Sequence, residues 1–334
     1  MNFSLIVCTY MRPKALLNLL KTVECQTLYP NEIIIVDGSS NNKTKDILEN
    51  NFFKNLIYYK VLKQDRGLTR QRNYGISKVL SDTDIVCFLD DDTVLNDNYF
   101  FNLKEIFISN QKITGVGGLA INENKWKLNS KIEGNYNSKK YITIDGYHCK
   151  LGQRHILRNY LGIGSKKLPG IMPEFSNGLS CGYPLTGNIY EVDLLIGMSM
   201  SFRKIVVDHI KFSSFFEGYG LYEDADFSLR SLKFGKNVLA TNVLLEHNHS
   251  PEGRPNHYNY GKMVIRNGWY VWRIKYNKPS LKARFKWNSI AILLMIIRFS
   301  NVFNSKKKLE ALTEACGRFY GLISLIFHKP NIKR

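Results

Sequence analysis

The chain has 334 residues, enough for two small domains or for one α/β domain with a long C-terminal extension, and its 44% hydrophobic content is that of a globular core. The net charge of +19 is local: residues 251 to 334 hold 17 Lys and Arg against Glu252, Glu310 and Glu314, so +14 of it lies in the last quarter. This excludes a diffuse surface charge and points to a polyanionic partner, either nucleic acid or an anionic membrane surface. Cys8, Cys25, Cys87, Cys149, Cys181 and Cys316 include no CxxC pair and read as free core thiols. The N-terminus, MNFSLIVCTYMRPK, lacks a basic segment ahead of its short apolar run, so the expected location is a reducing cytoplasm.

Residues 3 to 8 (FSLIVC) and 33 to 37 (IIIVD) are short continuous apolar runs, as in strands covered on both faces. Between them ALLNLLKTVECQ puts Leu16, Leu19, Leu20 and Val23 on one side of a helix, which makes a βαβ opening. NKTKDILENNFF predicts a second helix, LIYYKVL a third strand, GLTRQRNYGISKVL a third helix and DIVCFLD a fourth strand. The result is a doubly wound α/β half reaching about residue 120. Residues 121 to 190, rich in Asn, Tyr, Gly and Lys with weak periodicity, predict an irregular insertion over the crevice at the strand ends. In the following GYGLYEDADFSLRSLKFGKN, Ala225, Leu229 and Leu232 mark a helix with Glu223 and Asp224 in its first turn, where carboxylates also suit the helix dipole. The last quarter carries SIAILLMIIRF (289 to 299) and FYGLISLIF (319 to 327), each shorter than the roughly 20 apolar residues a bilayer span needs. Flanked by KARFK, SKKK and HKPNIKR, these runs suit a chain lying on an anionic membrane, or core helices with a solvated basic face.

In open α/β sheets ligands collect at the carboxyl ends of the strands. There the sequence ends its strands on Thr9, on Asp37, on Asp65 and Arg66, and on Asp90 to Asp92 in FLDDDTVL. Alone, Thr9 reads as a helix N-cap and Asp37 in DGSS as a turn former; together the four ends converge on one crevice. Three adjacent carboxylates repel unless a cation sits among them. A divalent metal for a phosphorylated substrate, Mg²⁺ or Mn²⁺, fits carboxylate oxygens. A structural Ca²⁺ loop would need further acidic ligands and a closing Glu, where TVLNDNYF supplies only Asp97. A third reading makes the acidic loop incidental to a basic nucleic-acid-binding protein whose Trp269, Tyr270, Trp272 and Tyr276 stack bases. Nucleic acid gives no reason for the two apolar runs.

Taken in order, SLIVCTYMRPKALLNLLKTVECQT, IIIVDGSS, RGLTRQRNYGI, IVCFLDDDTVL, IGMSMSFRK and YEDADFSLRSLKFGK resemble family 2 of the glycosyltransferases, inverting enzymes of the GT-A fold, over about residues 3 to 250. The resemblance implies a Rossmann-like, mostly parallel central sheet flanked by helices over residues 1 to 250, with a basic helical C-terminal extension over 251 to 334. Within it, 1 to 120 would be the nucleotide-sugar-binding half, 121 to 190 the acceptor-side insertion and 191 to 250 the acceptor and catalytic half. It further implies metal-assisted transfer of one sugar from a nucleotide-diphosphate sugar to a hydroxyl of a saccharide or lipid-linked saccharide.

Carried over residue by residue, Thr9 and Asp37 fall near base and ribose, and Arg66 or Arg70 near the nucleotide or diphosphate. Asp90 and Asp91 also join the donor site, Asp90-x-Asp92 forms the DxD motif that engages ribose and metal, and Asp224 is the catalytic base. Either His247 or His249 joins the metal or diphosphate. The expected setting is the cytoplasmic face of the cell membrane, in surface-polysaccharide assembly, with peripheral contact through the C-terminal region and no nucleic acid. A sugar nucleotidyltransferase would show a Gly-rich loop after the first strand, whereas VCTYMRPK has no glycine. A processive synthase would show QxxRW and several transmembrane helices, and the sequence shows neither.

Overall fold

The opening apolar run is strand β1 (Phe3–Thr9), followed by α1 (Pro13–Glu24), β2 (Glu32–Asp37), α2 (Lys43–Glu49), β3 (Leu56–Lys60), α3 (Leu68–Ile76), β4 (Ile85–Asp90), β5 (Thr93–Leu95), α4 (Tyr99–Ser109) and β6 (Ile113–Ala120). Next come β7 (Lys127–Leu128), β8 (Tyr141–Ile144), β9 (Tyr147–Lys150) and α5 (Gln153–Tyr160). The chain continues with β10 (Ile189–Val192), β11 (Ser199–Arg203), α6 (Lys204–His209), α7 (Glu223–Ser231) and β12 (Lys236–His247), then α8 (His257–Lys275), α9 (Leu281–Asn304) and α10 (Lys308–Phe327). These elements come from a computed structural model that describes residues 1–129, 136–175, 178–179, 182–249, 255–304 and 306–332. They form two units, residues 1–124 with 182–253, and residues 125–181 with 254–334.

In the first unit the strands order as β10-β12-β6-β11-β4-β1-β2-β3, with β5 paired to β12. From β3 through β2 and β1 to β4 the pairing is parallel, and every residue of β2 is buried. Helix α1 starts with Pro13 in its first turn, where a missing N–H costs nothing, and buries Leu16, Leu19, Leu20 and Val23 against the sheet. Each such side chain contributes up to about 1.5–3 kcal/mol. The sheet as a whole is mixed, which corrects the mostly parallel sheet expected from sequence. Strand β11, from the SMSFR stretch, lies antiparallel between β4 and β6, and β12 runs parallel to β6 but antiparallel to β10 and β5. Strand β11 follows no crossover helix, so nothing in its local pattern announces its direction.

In the second unit β7, β9 and β8 form a small antiparallel sheet beside α5, so the 121 to 190 stretch is less irregular than its weak periodicity implies. Helices α8 and α10 approach closely through glycine: a Cβ on Gly261 would meet the Glu314 carbonyl oxygen at 2.1 Å, and one on Gly317 the Tyr258 carbonyl oxygen at 2.0 Å. Helix α10 buries Ala311, Glu314, Ala315, Gly317, Arg318, Gly321, Ser324 and Leu325, with Glu314 paired to Arg318 and Arg298, each at 2.7 Å. Its outer face shows Leu309, Leu312, Phe319, Ile323 and Ile326. Apart from Leu325, small and charged residues lie inside and large apolar residues outside, the reverse of the usual amphipathic order. Helix α9 extends past its apolar run at both ends. At 24 residues it is long and apolar enough, by length and composition, to cross a membrane. Of the cysteines, Cys87 and Cys149 are buried and Cys8 is half-buried, but Cys25 and Cys316 are exposed, so these two are not core thiols; Cys181 lies outside the described residues.

Candidate active site

At the end of β4 the three aspartates take different partners. The Asp90 carboxylate accepts a hydrogen bond from Arg72 Nη2 at 3.2 Å. Asp91, on the other face, accepts from the Thr9 hydroxyl at 2.6 Å and from Arg12 at 3.1 Å. Burial pushes Asp91 up to about 7, with Thr9 and Arg12 opposing the rise. Asp92 is buried, 3.5 Å from Arg12 and 3.3 Å from His247 Nε2.

His247 reaches this place because β12 pairs with β5, where it stands opposite Thr93, one residue after Asp92. Its two ring nitrogens face different groups: Nε2 meets Asp92, and Nδ1 meets Glu123 at 3.2 Å. Burial disfavours the charged imidazole, but the Asp92 hydrogen bond and the charges of Asp90, Asp92 and Glu123 outweigh it and raise its pKa. His249 turns to Glu123 at 2.7 Å. Two sets of ligand atoms result, Asp90 with Asp92 and His247, and Glu123 with His247 and His249, each lying within 4.8 Å of one another. Carboxylate oxygens suit Mg²⁺ or Mn²⁺, and an imidazole leans such a set toward a transition ion, so the Asp90, Asp92 and His247 donors fit a divalent cation.

Arg72 joins this strand end to α7. Its guanidinium is fully buried and donates to Asp90, to Glu223 and to the Gly197 carbonyl at 3.0 Å, beneath the ring of Phe212 at 5.2 Å. Burial works against its charge; Glu223, Asp90 and Asp224 more than offset it. Asp224 is half-buried, and its carboxylate accepts from the backbone N–H of Gly197 at 2.9 Å and of Ala225 at 2.7 Å. Partial burial raises its pKa, with these two bonds opposing. Gly197 therefore holds Arg72 through its carbonyl and Asp224 through its N–H. Just before the pair, Tyr222 sits in the left-handed region at φ 73°, a conformation that costs a non-glycine residue about 1 kcal/mol or more.

The remaining sequence candidates are spread along the strand ends. Asp37 is buried, accepting from the Ser39 N–H at 2.7 Å and the Tyr58 hydroxyl at 2.8 Å. Arg66 reaches the Ser39 carbonyl at 3.5 Å. Arg70 pairs with Glu217 at 2.7 Å on a partly exposed surface. Arg70 and Arg72 are about 200° apart around α3 at 3.6 residues per turn, so one faces out while the other is buried.

Residues 4–161 match the family model described as Glycosyl transferase family 2. Over these residues the chain carries a family 2 glycosyltransferase domain. The O-antigen chain rhamnosyltransferase RfbN of Salmonella typhimurium is 26% identical over 155 residues, 46% of this chain and 48% of its own. The crystal structure of S. aureus TarS covers 93% of this chain and 46% of its own at 17% identity, with a TM-score of 0.48. The chain thus spans about half the length of the relatives it matches.

Around this site, sequence reasoning missed Arg72, Gln71, Arg12, Gly197 and Glu123. Gln71 donates to the carbonyls of Thr9 at 3.1 Å and Val36 at 2.9 Å, tying the ends of β1 and β2. The signal for Arg72 and Gln71 was available: both lie in RGLTRQRNYGI, Gln71 about 100° and Arg72 about 200° around the helix from Arg70. Nothing local marked Glu123 or Gly197.

Proposed function

We propose that this domain, with a GT-A fold, transfers one sugar with inversion from a nucleotide-diphosphate sugar to a hydroxyl of a saccharide or lipid-linked saccharide. The observation that carries this reading is the meeting of the Asp90 to Asp92 strand end with the Glu223 and Asp224 helix start through the one buried side chain of Arg72. In this reading Asp90, Asp92 and His247 hold a Mn²⁺ or Mg²⁺ ion. When bound, such an ion neutralises the charge that builds on the departing nucleoside diphosphate.

The chain's own groups supply the rest. Asp37, already oriented by Ser39 and Tyr58, receives base or ribose with Thr9, and Asp90 and Asp91 complete the donor wall. Arg66 or Arg70 approaches the nucleotide or diphosphate; the exposed Arg70–Glu217 pair contributes little and is easily exchanged for a phosphate. Asp224, aimed by two backbone N–H groups, takes the acceptor hydroxyl's proton as the oxygen attacks the anomeric carbon from the side opposite the leaving group. A carboxylate whose pKa is raised by burial is a stronger base than an exposed one.

For the second unit we propose peripheral contact with the cytoplasmic face of an anionic membrane. The outward apolar rows of α9 and α10, set among the basic residues of the last quarter, support this reading.

The test is release of nucleoside diphosphate from a panel of nucleotide sugars, with Mn²⁺, with Mg²⁺ and with EDTA. A rhamnosyl donor belongs in the panel because RfbN is a rhamnosyltransferase. Release from one donor that depends on metal and on an added saccharide or lipid-linked acceptor is expected. No release from any donor sinks the proposal.

A further inference from the structure

The second unit contains a cavity of about 1240 Å³ lined by residues from Ser138 to Phe175, by Leu179 and by the first turns of α9. Lys139, Lys166, Lys167, Lys282 and Lys286 all line it, against a single carboxylate, Glu174, which is engaged by the Ser280 N–H at 2.9 Å. Among the described residues none of these five lysines has a carboxylate within 4.0 Å. Two are steadied by aromatic faces instead: Lys139 Nζ lies 4.9 Å from the Tyr160 ring, and Lys286 Nζ 4.7 Å from that of Phe175. Five like charges around one concavity repel each other, and an anion bound among them relieves that repulsion.

The surroundings narrow the anion. Lys282 and Lys286, four residues apart, share one side of α9. Their sequence neighbours Leu281 and Phe285 are 81% and 70% exposed, and the apolar row continues along the helix through Ile292, Ile296, Phe299 and Phe303. A cationic cavity opening beside an exposed apolar row matches a molecule with an anionic head and an apolar tail.

We propose that this cavity is a binding site for a phosphate-bearing headgroup. The ammonium groups act as point charges on phosphate oxygens, and the apolar row of α9 receives the attached chains. The lining comes from the second unit's own residues and the test reads binding, so the site stands or falls independently of sugar transfer.

The probes are sodium diphosphate, followed by calorimetry, and phosphatidylcholine vesicles with and without phosphatidic acid, followed by flotation. Both use the full chain in EDTA, so that no metal holds anions at Asp90 and Asp92. Lys282→Glu with Lys286→Glu, and separately Lys166→Glu with Lys167→Glu, should each weaken binding by about tenfold or more. The control pair Lys306→Glu with Lys308→Glu makes the same charge change outside the cavity and should leave diphosphate binding within about twofold of the parent. Because the two cavity pairs lie on different segments, agreement between them does not depend on either variant folding perfectly. Diphosphate binding shows that the phosphate suffices, and binding to phosphatidic acid vesicles alone shows that the lipid is required; either supports the site. Binding of neither probe overturns it, as does a control pair that weakens diphosphate binding as much as the cavity pairs do, or vesicle binding that Lys166→Glu with Lys167→Glu leaves unchanged.

Discussion

Arg72 and Glu223, 151 residues apart in sequence, form a buried ion pair that fastens α3 to the start of α7. Removing one partner of such a pair leaves the other charged and desolvated. Arg72→Met should therefore destabilise the fold by about 3–5 kcal/mol in urea unfolding. An Arg72→Met protein as stable as the parent would show that the pair is dispensable.

The two candidate ligand sets share His247, and this allows them to be told apart. His247→Gln should weaken Mn²⁺ binding by about tenfold or more, while His249→Gln leaves the Asp90, Asp92 and His247 set whole and changes it little. Asp92→Ala should abolish the metal-dependent part of nucleotide affinity. Titration of Mn²⁺ by calorimetry checks all three, and equal nucleotide affinity in Mn²⁺ and EDTA for the parent would dismiss the assignment.

Asp224→Asn keeps size and hydrogen-bonding capacity but cannot accept the acceptor's proton. Donor affinity should survive while turnover falls about 10²-fold or more. Asp226, tied to Arg230 inside α7, is the local control, because its substitution should act on stability. Near-parental turnover of Asp224→Asn at saturating substrates, with chemistry limiting, would move the role elsewhere.

Burial, with Arg158 and Arg154 adding, lowers His155 on α5 from its ordinary 6.5 to about 4. The folded value lies below the unfolded one, so between the two the unfolded chain binds a proton that the folded chain does not. Stability from this group is therefore full above 6.5 and lost as pH falls toward and through 4. Melting temperature should drop over that window more in the parent than in His155→Gln, and parallel pH profiles would contradict it.

Phe299 and Phe303 are 49% and 73% exposed on α9. Changing both to Ser should leave the melting temperature nearly unchanged yet weaken vesicle binding by about tenfold or more for each ring that inserts. Undiminished vesicle binding would place the membrane contact on another surface.

Strand ends were legible in the sequence because buried parallel strands write themselves as apolar runs that stop at a polar residue. Thr9, Asp37 and Asp90 sit at the ends of β1, β2 and β4. The antiparallel entry of β11 was not legible, since direction depends on tertiary pairing. Among the arginines, Arg66 and Arg70 were chosen over Arg72 because charge alone does not say which face of α3 is buried; helical phase does. The pairing of Asp92 with His247 spans two elements far apart in sequence, so spacing could not choose between His247 and His249.

Three residues, Thr93 to Leu95, pair with Leu245 to His247, and that short ladder, continued by the Asn248 N–H donating to the Asp92 carbonyl at 3.0 Å, sets the imidazole beside Asp92. The geometry is thus written in backbone count more than in side-chain identity. Many substitutions at Val94 should pass unnoticed in a diverging lineage. Losing one residue between Asp92 and Leu95 slips β5 by one against β12 and carries Asp92 away from the imidazole. Length in this loop is therefore the quantity that divergence cannot alter cheaply, even where its letters drift.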